Sequence, residues 1–399
     1  MFKFRTSTSN LFANLRASSL LRPSAAERDH ADRLDETQNF GSNPGQLRMF
    51  SYMPTCGPEH HALVVVMHGC GQTAAGYDHG TGWSTLADRY GFALLMPEQQ
   101  RSNNPNGCFN WFQPEDSRRG SGEAASIHQM VQVMLRDKGI DPRRIFVTGL
   151  SAGGAMTSVM LACYPEIFAA GAIIAGLPYG AASNVQQAFQ SMFQCPPRRS
   201  KEWGDLVRAA APGHTSSWPR VSVWHGDADK TVIPSNAHEI IKQWSDVHGL
   251  REAPSKMDWV DGYKRQAWLD HTGKVMVESY TITDMAHGTP LATGDDEFAC
   301  GAAGPYLLDV GISSSFHVAR FFGLTLDERP DDAAAGPLAA SPNRSQSAID
   351  PGRTLTEATT EHIRSNTIPP RTGKSAGARI NIGSVISAAL EKAGLITRG

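Results

Sequence analysis

The chain has 399 residues, 40% of them hydrophobic and 19% charged, with a formal net charge of −2. So balanced a charge gives no electrostatic reason to expect nucleic acid or an anionic membrane surface as a partner, and no run of about 18 apolar residues is present to span a bilayer. That length accommodates one large α/β domain or two ordinary ones.

Residues 1–45 read as a polar lead. Its first 22 residues carry Lys3, Arg5, Arg16 and Arg22 without an acidic residue, and their apolar residues are scattered among Ser, Thr and Asn. A secretory signal needs an unbroken apolar run of about 7 to 15 residues, so an amphipathic or disordered lead is expected instead. The globular region starts near Leu47, with residues 49–53 as its first strand. Apolar, β-branched runs at 63–67, 92–96, 144–148, 170–175 and 221–224 have the length of buried strands, and residues 276–283 alternate as a late one. Between them, Ile127, Met130, Val131 and Met134 recur at helical spacing, as do Ile240, Ile241, Trp244 and Val247, and residues 155–163 make a third helix. Strands alternating with helices predict a mainly parallel sheet covered on both faces, with 46–326 as the catalytic domain. Residues 327–375, rich in Pro, Ala, Ser, Thr, Asp and Arg, are expected to be a flexible linker, and 376–399 a terminal amphipathic helix. No internal repeat is apparent.

The chemistry centres on Gly149-Leu150-Ser151-Ala152-Gly153, set directly after the run 144–148. A strand, a tight turn bearing serine and a small-residue helix start make a nucleophile elbow, which lifts Oγ clear of the sheet. An α/β-hydrolase places its acid and then its base downstream. The run 221–224 leads into His225-Gly226-Asp227-Ala228-Asp229, which makes Asp229 the preferred acid and Asp227 the alternative. The base is His287, in Met285-Ala286-His287-Gly288 after the late strand. His68 and His225 precede glycines at strand ends and are read as backbone-orienting. For the oxyanion, one N–H is expected from Ala152 and a second from Cys70, in the glycine-bearing loop His68-Gly69-Cys70-Gly71-Gln72.

The set His68 to Thr73, Asn106-Gly107-Cys108-Phe109-Asn110-Trp111, Gly149 to Gly154 and His225 to Asp229 resembles the polyhydroxybutyrate depolymerase family of esterases, over about residues 47–324. The resemblance implies the α/β-hydrolase fold, the serine triad and carboxylic-ester hydrolysis without a cofactor. Relatives in that branch include feruloyl and acetyl xylan esterases, and a serine peptidase shares the same core. An inactive binding protein of the same fold is the non-enzyme alternative, against which the ordered triad argues. The family also implies an extracellular or periplasmic location; the lack of a clear signal leaves the cytoplasm as the alternative. The expected partner is a small or oligomeric ester, in preference to insoluble polymer because the tail is too polar to adsorb to it; the oligomeric state is open.

Phe109, Trp111, Phe112 and Trp203 are candidates for the substrate pocket, the competing reading being ordinary core packing. Six widely spaced cysteines without a C-x-x-C pair argue against zinc, and no ligand cluster makes a metal site of Asp116 and Glu123. Cys70 and Cys108 follow core strands and sit beside glycines, so a disulfide between them is expected.

Overall fold

The computed structural model of the chain describes residues 33–55, 57–58, 61–294 and 298–325. The expected linker, the terminal helix and the first 32 residues of the lead lie outside these. Along the chain run β1 (Asp35–Thr37), β2 (Arg48–Tyr52), β3 (His61–Met67), α1 (Ala74–Thr81), α2 (Trp83–Tyr90), β4 (Ala93–Glu98), α3 (Gly122–Asp137), β5 (Ile140–Leu150), α4 (Ala152–Cys163) and β6 (Ala170–Ile174). They are followed by α5 (Val185–Phe193), α6 (Ser200–Ala210), β7 (Arg220–Gly226), α7 (Ser235–Val247), β8 (Lys256–Val260), β9 (Tyr263–Leu269), β10 (Val275–Ile282), β11 (Thr289–Leu291), β12 (Leu307–Asp309) and α8 (Ser314–Phe321).

The main sheet has the order β1-β2-β4-β3-β5-β6-β7-β10-β9-β8. From β4 to β10 the strands are parallel, and the flanking pairs are antiparallel. The central strands are buried along nearly their whole length because helices cover both faces. Period-2 alternation divides β3 between two cores. Leu63, Val65 and Met67 join Ile127, Val159 and Trp244 on one face, and Ala62, Val64 and Val66 join Trp83, Leu86 and Phe316 on the other.

The margins depart from expectation. Asp35–Thr37, assigned to the lead, pairs with β2, so the folded unit begins before residue 46. An edge strand needs no apolar run; this one is held by its backbone ladder and a 2.8 Å Arg48–Glu36 ion pair. At the opposite edge, β8 presents Met257 and Trp259 to solvent, 58% and 71% exposed.

This topology opens the carboxyl ends of β3, β4, β5, β7 and β10 onto one edge, where sites form in parallel sheets.

Candidate active site

Ser151 follows β5 and caps α4 with φ +57° and ψ −115°. A non-glycine residue held there costs on the order of 1–3 kcal/mol, so the surroundings must impose it. Its N–H donates to the Ile174 carbonyl at 2.9 Å, and its own carbonyl accepts from Ala155 N–H at 2.8 Å. The flanking glycines supply room. A Cβ on Gly149 would strike the Gly153 backbone, and one on Gly153 would strike the carbonyls of Met67 and His68. Ser151 remains partly exposed.

Asp229 follows β7 through a turn in which its N–H donates to the Gly226 carbonyl at 3.3 Å. Its side chain is fully buried. Oδ1 accepts from the N–H groups of Thr231 and Val232 at 2.8 and 2.9 Å, and Oδ2 lies 2.7 Å from His287 Nδ1. His225 Nε2 stands 3.4 Å from the same oxygen and 2.7 Å from the Val232 carbonyl, to which it donates. Burial alone would raise the Asp229 pKa, but the His225 and His287 contacts outweigh it and hold the carboxyl well below the usual range. An ionised Asp229 keeps the His287 proton on Nδ1 and leaves Nε2 as an acceptor. Asp227, the alternative acid, is turned elsewhere: it accepts from the Asp284 N–H at 2.7 Å, tying the loop after β7 to the loop after β10.

On the other side of Ser151, His68 is buried at the end of β3. Its Nε2 accepts from Gln99 N–H at 3.1 Å, so its proton is on Nδ1, which donates to the Gly69 carbonyl at 2.7 Å. Burial lowers its pKa and keeps it neutral. Gly69 N–H donates to Gln72 Oε1 at 2.8 Å. Cys70 and Cys108 form a disulfide with Cα atoms 4.2 Å apart, joining the loop after β3 to the loop after β4. Ala152, buried, is the first residue of α4. Cys163, Cys195 and Cys300 are buried free thiols; Cys56 lies outside the described residues.

Glu123, weighed in sequence only as a metal ligand, underlies this cluster. Gln99 Nε2 donates to its Oε1 at 2.5 Å and to the Cys108 carbonyl at 2.9 Å. Asn103 Nδ2 also donates to Oε1, at 3.2 Å, and Asn110 N–H donates to Oε2 at 2.8 Å. Burial and the nearby Asp116 carboxyl push its pKa up to about 8. Among the described residues no three His, Cys, Asp or Glu side chains group as metal ligands. Periodicity offered no sign of this role, because Glu123 sits in the first turn of α3, before the repeat of Ile127 and Met130.

The aromatic candidates are largely enclosed. Phe109 and Trp203 are 0% and 2% exposed, and Trp111 and Phe112 only 8% and 7%; all four belong to one hydrophobic core. Phe109 packs against His68 with centroids 5.0 Å apart, and Trp203 Nε1 donates to Glu239 Oε2 at 2.5 Å. Phe109, Trp111 and Phe112 thus brace the loop after β4 and Trp203 anchors α6 to the core.

A family model described as Esterase PHB depolymerase matches residues 48–258. Poly(3-hydroxyalkanoate) depolymerase C of Paucimonas lemoignei is 45% identical over 291 residues, covering 73% of this chain and 70% of that protein. An acetylxylan esterase of Coprinopsis cinerea is 34% identical over 266 residues, 65% of this chain and 70% of that one. A feruloyl esterase B of Neurospora crassa is 38% identical over 226 residues, 54% and 75%. Among solved structures, an acetyl xylan esterase from Aspergillus awamori superposes with a TM-score of 0.62 at 27% identity, covering 73% of this chain and 99% of that one.

Proposed function

The chain belongs to the PHB depolymerase family of esterases and hydrolyses carboxylic esters, and from that premise we propose that Ser151, His287 and Asp229 carry the hydrolysis through an acyl-enzyme. The observation that carries the proposal is the strained Ser151 at the β5–α4 turn, on the same sheet edge as a His287 whose Nδ1 is 2.7 Å from a buried Asp229. His287 Nε2 takes the proton from Ser151 Oγ as the oxygen attacks the ester carbonyl. The developing oxyanion is met by the N–H groups of Ala152 and Cys70, each such donor worth about 3 to 4 kcal/mol of barrier. Collapse of the intermediate expels the alcohol, which leaves with the proton from His287. Water then repeats the sequence on the acyl-enzyme, and Asp229 stabilises the imidazolium in both halves. Ser151→Ala is expected to lower turnover by several orders of magnitude without unfolding the chain. Labelling of that variant by a fluorophosphonate probe would remove the assignment.

The relatives named above act on hydroxyalkanoate, acetylxylan and feruloyl esters, which share the ester bond but neither its acyl nor its alcohol part. We take short or medium acyl and hydroxyacyl esters as the substrate class, with acetyl xylan and feruloyl esters as the second reading, which those two relatives favour. A panel of p-nitrophenyl esters beside a peptide anilide separates these from peptidase activity. Hydroxybutyrate release from polymer granules and from soluble trimer, at equal ester content, tests the preference for small substrates; comparable rates would overturn it. The Cys70–Cys108 bridge supports an oxidising location, extracellular or periplasmic.

A further inference from the structure

We propose that Tyr306 is a specificity-determining residue that forms the alcohol-side wall of the site, a role that rests on His287 being the catalytic base. Tyr306 closes a turn in which the Leu307 N–H donates to the Gly304 carbonyl at 3.0 Å. Pro305 precedes it, and proline fixes φ near −65°, whereas Tyr306 has φ +63°. A negative φ followed by a positive one is a type II turn, whose third position favours glycine or asparagine. Tyrosine at that position is a bulky side chain in the left-handed region, a conformation that turn formation alone does not select.

The turn is fastened to the loop that carries His287. The Tyr306 carbonyl accepts from Thr289 N–H at 2.8 Å, and β11 and β12 pair in parallel with Thr289 opposite Leu307. Gly288, next to His287, lies so near that an added Cβ would stand 2.9 Å from the Tyr306 carbonyl oxygen. The phenol ring meets the His287 imidazole edge to face, with centroids 6.2 Å apart and planes at 70°. Tyr306 and His287 both retain partial exposure, unlike the four buried aromatics.

His287 delivers its proton to the departing alcohol, so a ring beside that imidazole faces the alcohol half of the ester rather than the acyl half. A flat apolar face there favours esters whose alcohol is large and apolar, such as benzyl or cyclohexyl, over ethyl. The backbone strain is what makes the test discriminating. Tyr306→Gly and Tyr306→Asn relieve the turn, which offsets part of the cost of losing a ring that packs on the second core, so the fold is retained in both.

The measurement is kcat/KM for ethyl and benzyl butyrate, an alcohol ratio, and for ethyl butyrate and ethyl hexanoate, an acyl ratio. The benzyl-to-ethyl ratio is expected to fall about tenfold in both variants, the scale of losing one apolar contact in a pocket. The acyl ratio is expected to stay within twofold, both variants to remain folded with a cooperative thermal transition, and Tyr306→Phe to keep the natural alcohol ratio. An alcohol ratio that falls less than threefold, or an acyl ratio that moves as far as the alcohol ratio, overturns the assignment. Fluorophosphonate labelling of the natural chain distinguishes the two readings, since a wrong nucleophile would appear there as labelling away from Ser151.

Discussion

Two loop clusters flank Ser151 at the carboxyl edge, and each is built round one buried carboxyl. After β7 and β10, Asp229 accepts two backbone N–H bonds and meets two imidazoles. After β3 and β4, Glu123 accepts from two amides and one backbone N–H, with Asp116 as its charged neighbour. Burial is the largest influence on both and raises both. Only Asp229 has groups able to carry positive charge beside it, and its pKa falls where that of Glu123 rises. Hydrogen bonds from two imidazoles outweigh burial at Asp229, whereas at Glu123 the Asp116 charge adds to burial and the amide donors only partly offset the two. The difference suits the two roles. Under the proposed mechanism the Asp229 side accepts an imidazolium during turnover, whereas the Glu123 side has only to hold N–H groups still.

The largest effect that would break this comparison is expected at Asp229. Asp229→Asn should cost on the order of 10⁴ in turnover by favouring the wrong tautomer of His287, whereas Asp227→Asn, which loses one loop hydrogen bond, should cost far less. Steady-state kinetics on the two variants checks the ranking, and a reversed order would move the acid by two residues.

Next is the covalent link of the β3–β4 side. The bridged cysteines are 38 residues apart, and closing such a loop is worth about 4 kcal/mol in the chain-entropy account. A Cys70→Ala/Cys108→Ala variant should lose stability of that order by denaturant titration, with unchanged stability counting against a closed bridge.

A third effect separates the two carboxyls by pH. Glu123 has a folded pKa of about 8 against an ordinary 4.5. Its contribution to stability is therefore full below about pH 4.5 and is lost as pH rises through about 8. Asp229 has the opposite sign: its contribution stands above its ordinary 3.8 and is lost only as pH falls through its depressed folded value. Thermal midpoints from pH 5 to 8.5 should decline more steeply for the natural chain than for Glu123→Gln. Parallel curves would mean that Glu123 is ionised throughout that range. The smallest effect sharpens the same point. Asp116→Asn removes the like charge and should move the Glu123 transition to lower pH by about one unit or less.

The central strands and the helices α3, α4 and α7 were legible because burial on both sheet faces writes long apolar runs and 3.6-residue repeats into the chain. The placing of Ser151, Asp229 and His287 at one edge of the sheet was legible because each sits just past such a run. The margins were not. Asp35–Thr37 has no apolar signal, β8 faces solvent over much of its length, β9 is for the most part only half-buried, and β11 and β12 are three residues each. The burial of Phe109, Trp111, Phe112 and Trp203 was not legible, because a ring beside a loop looks the same in sequence whether it faces a pocket or the core. Tyr306 left only the dipeptide Pro305-Tyr306 as its trace, and nothing in that pair points across to residue 287.

The edge residue Trp259 gives the molecule an optical consequence. Of the eight tryptophans in the chain, six are buried, Trp218 is intermediate and Trp259 stands in water. Its emission will lie at longer wavelength than that of the buried indoles and will be quenched by acrylamide at concentrations that leave the core dark to the quencher. The native protein thus carries two colours of intrinsic fluorescence. One reports on the packed interior and the other chiefly on β8, so anything that settles on that margin can be followed without a label.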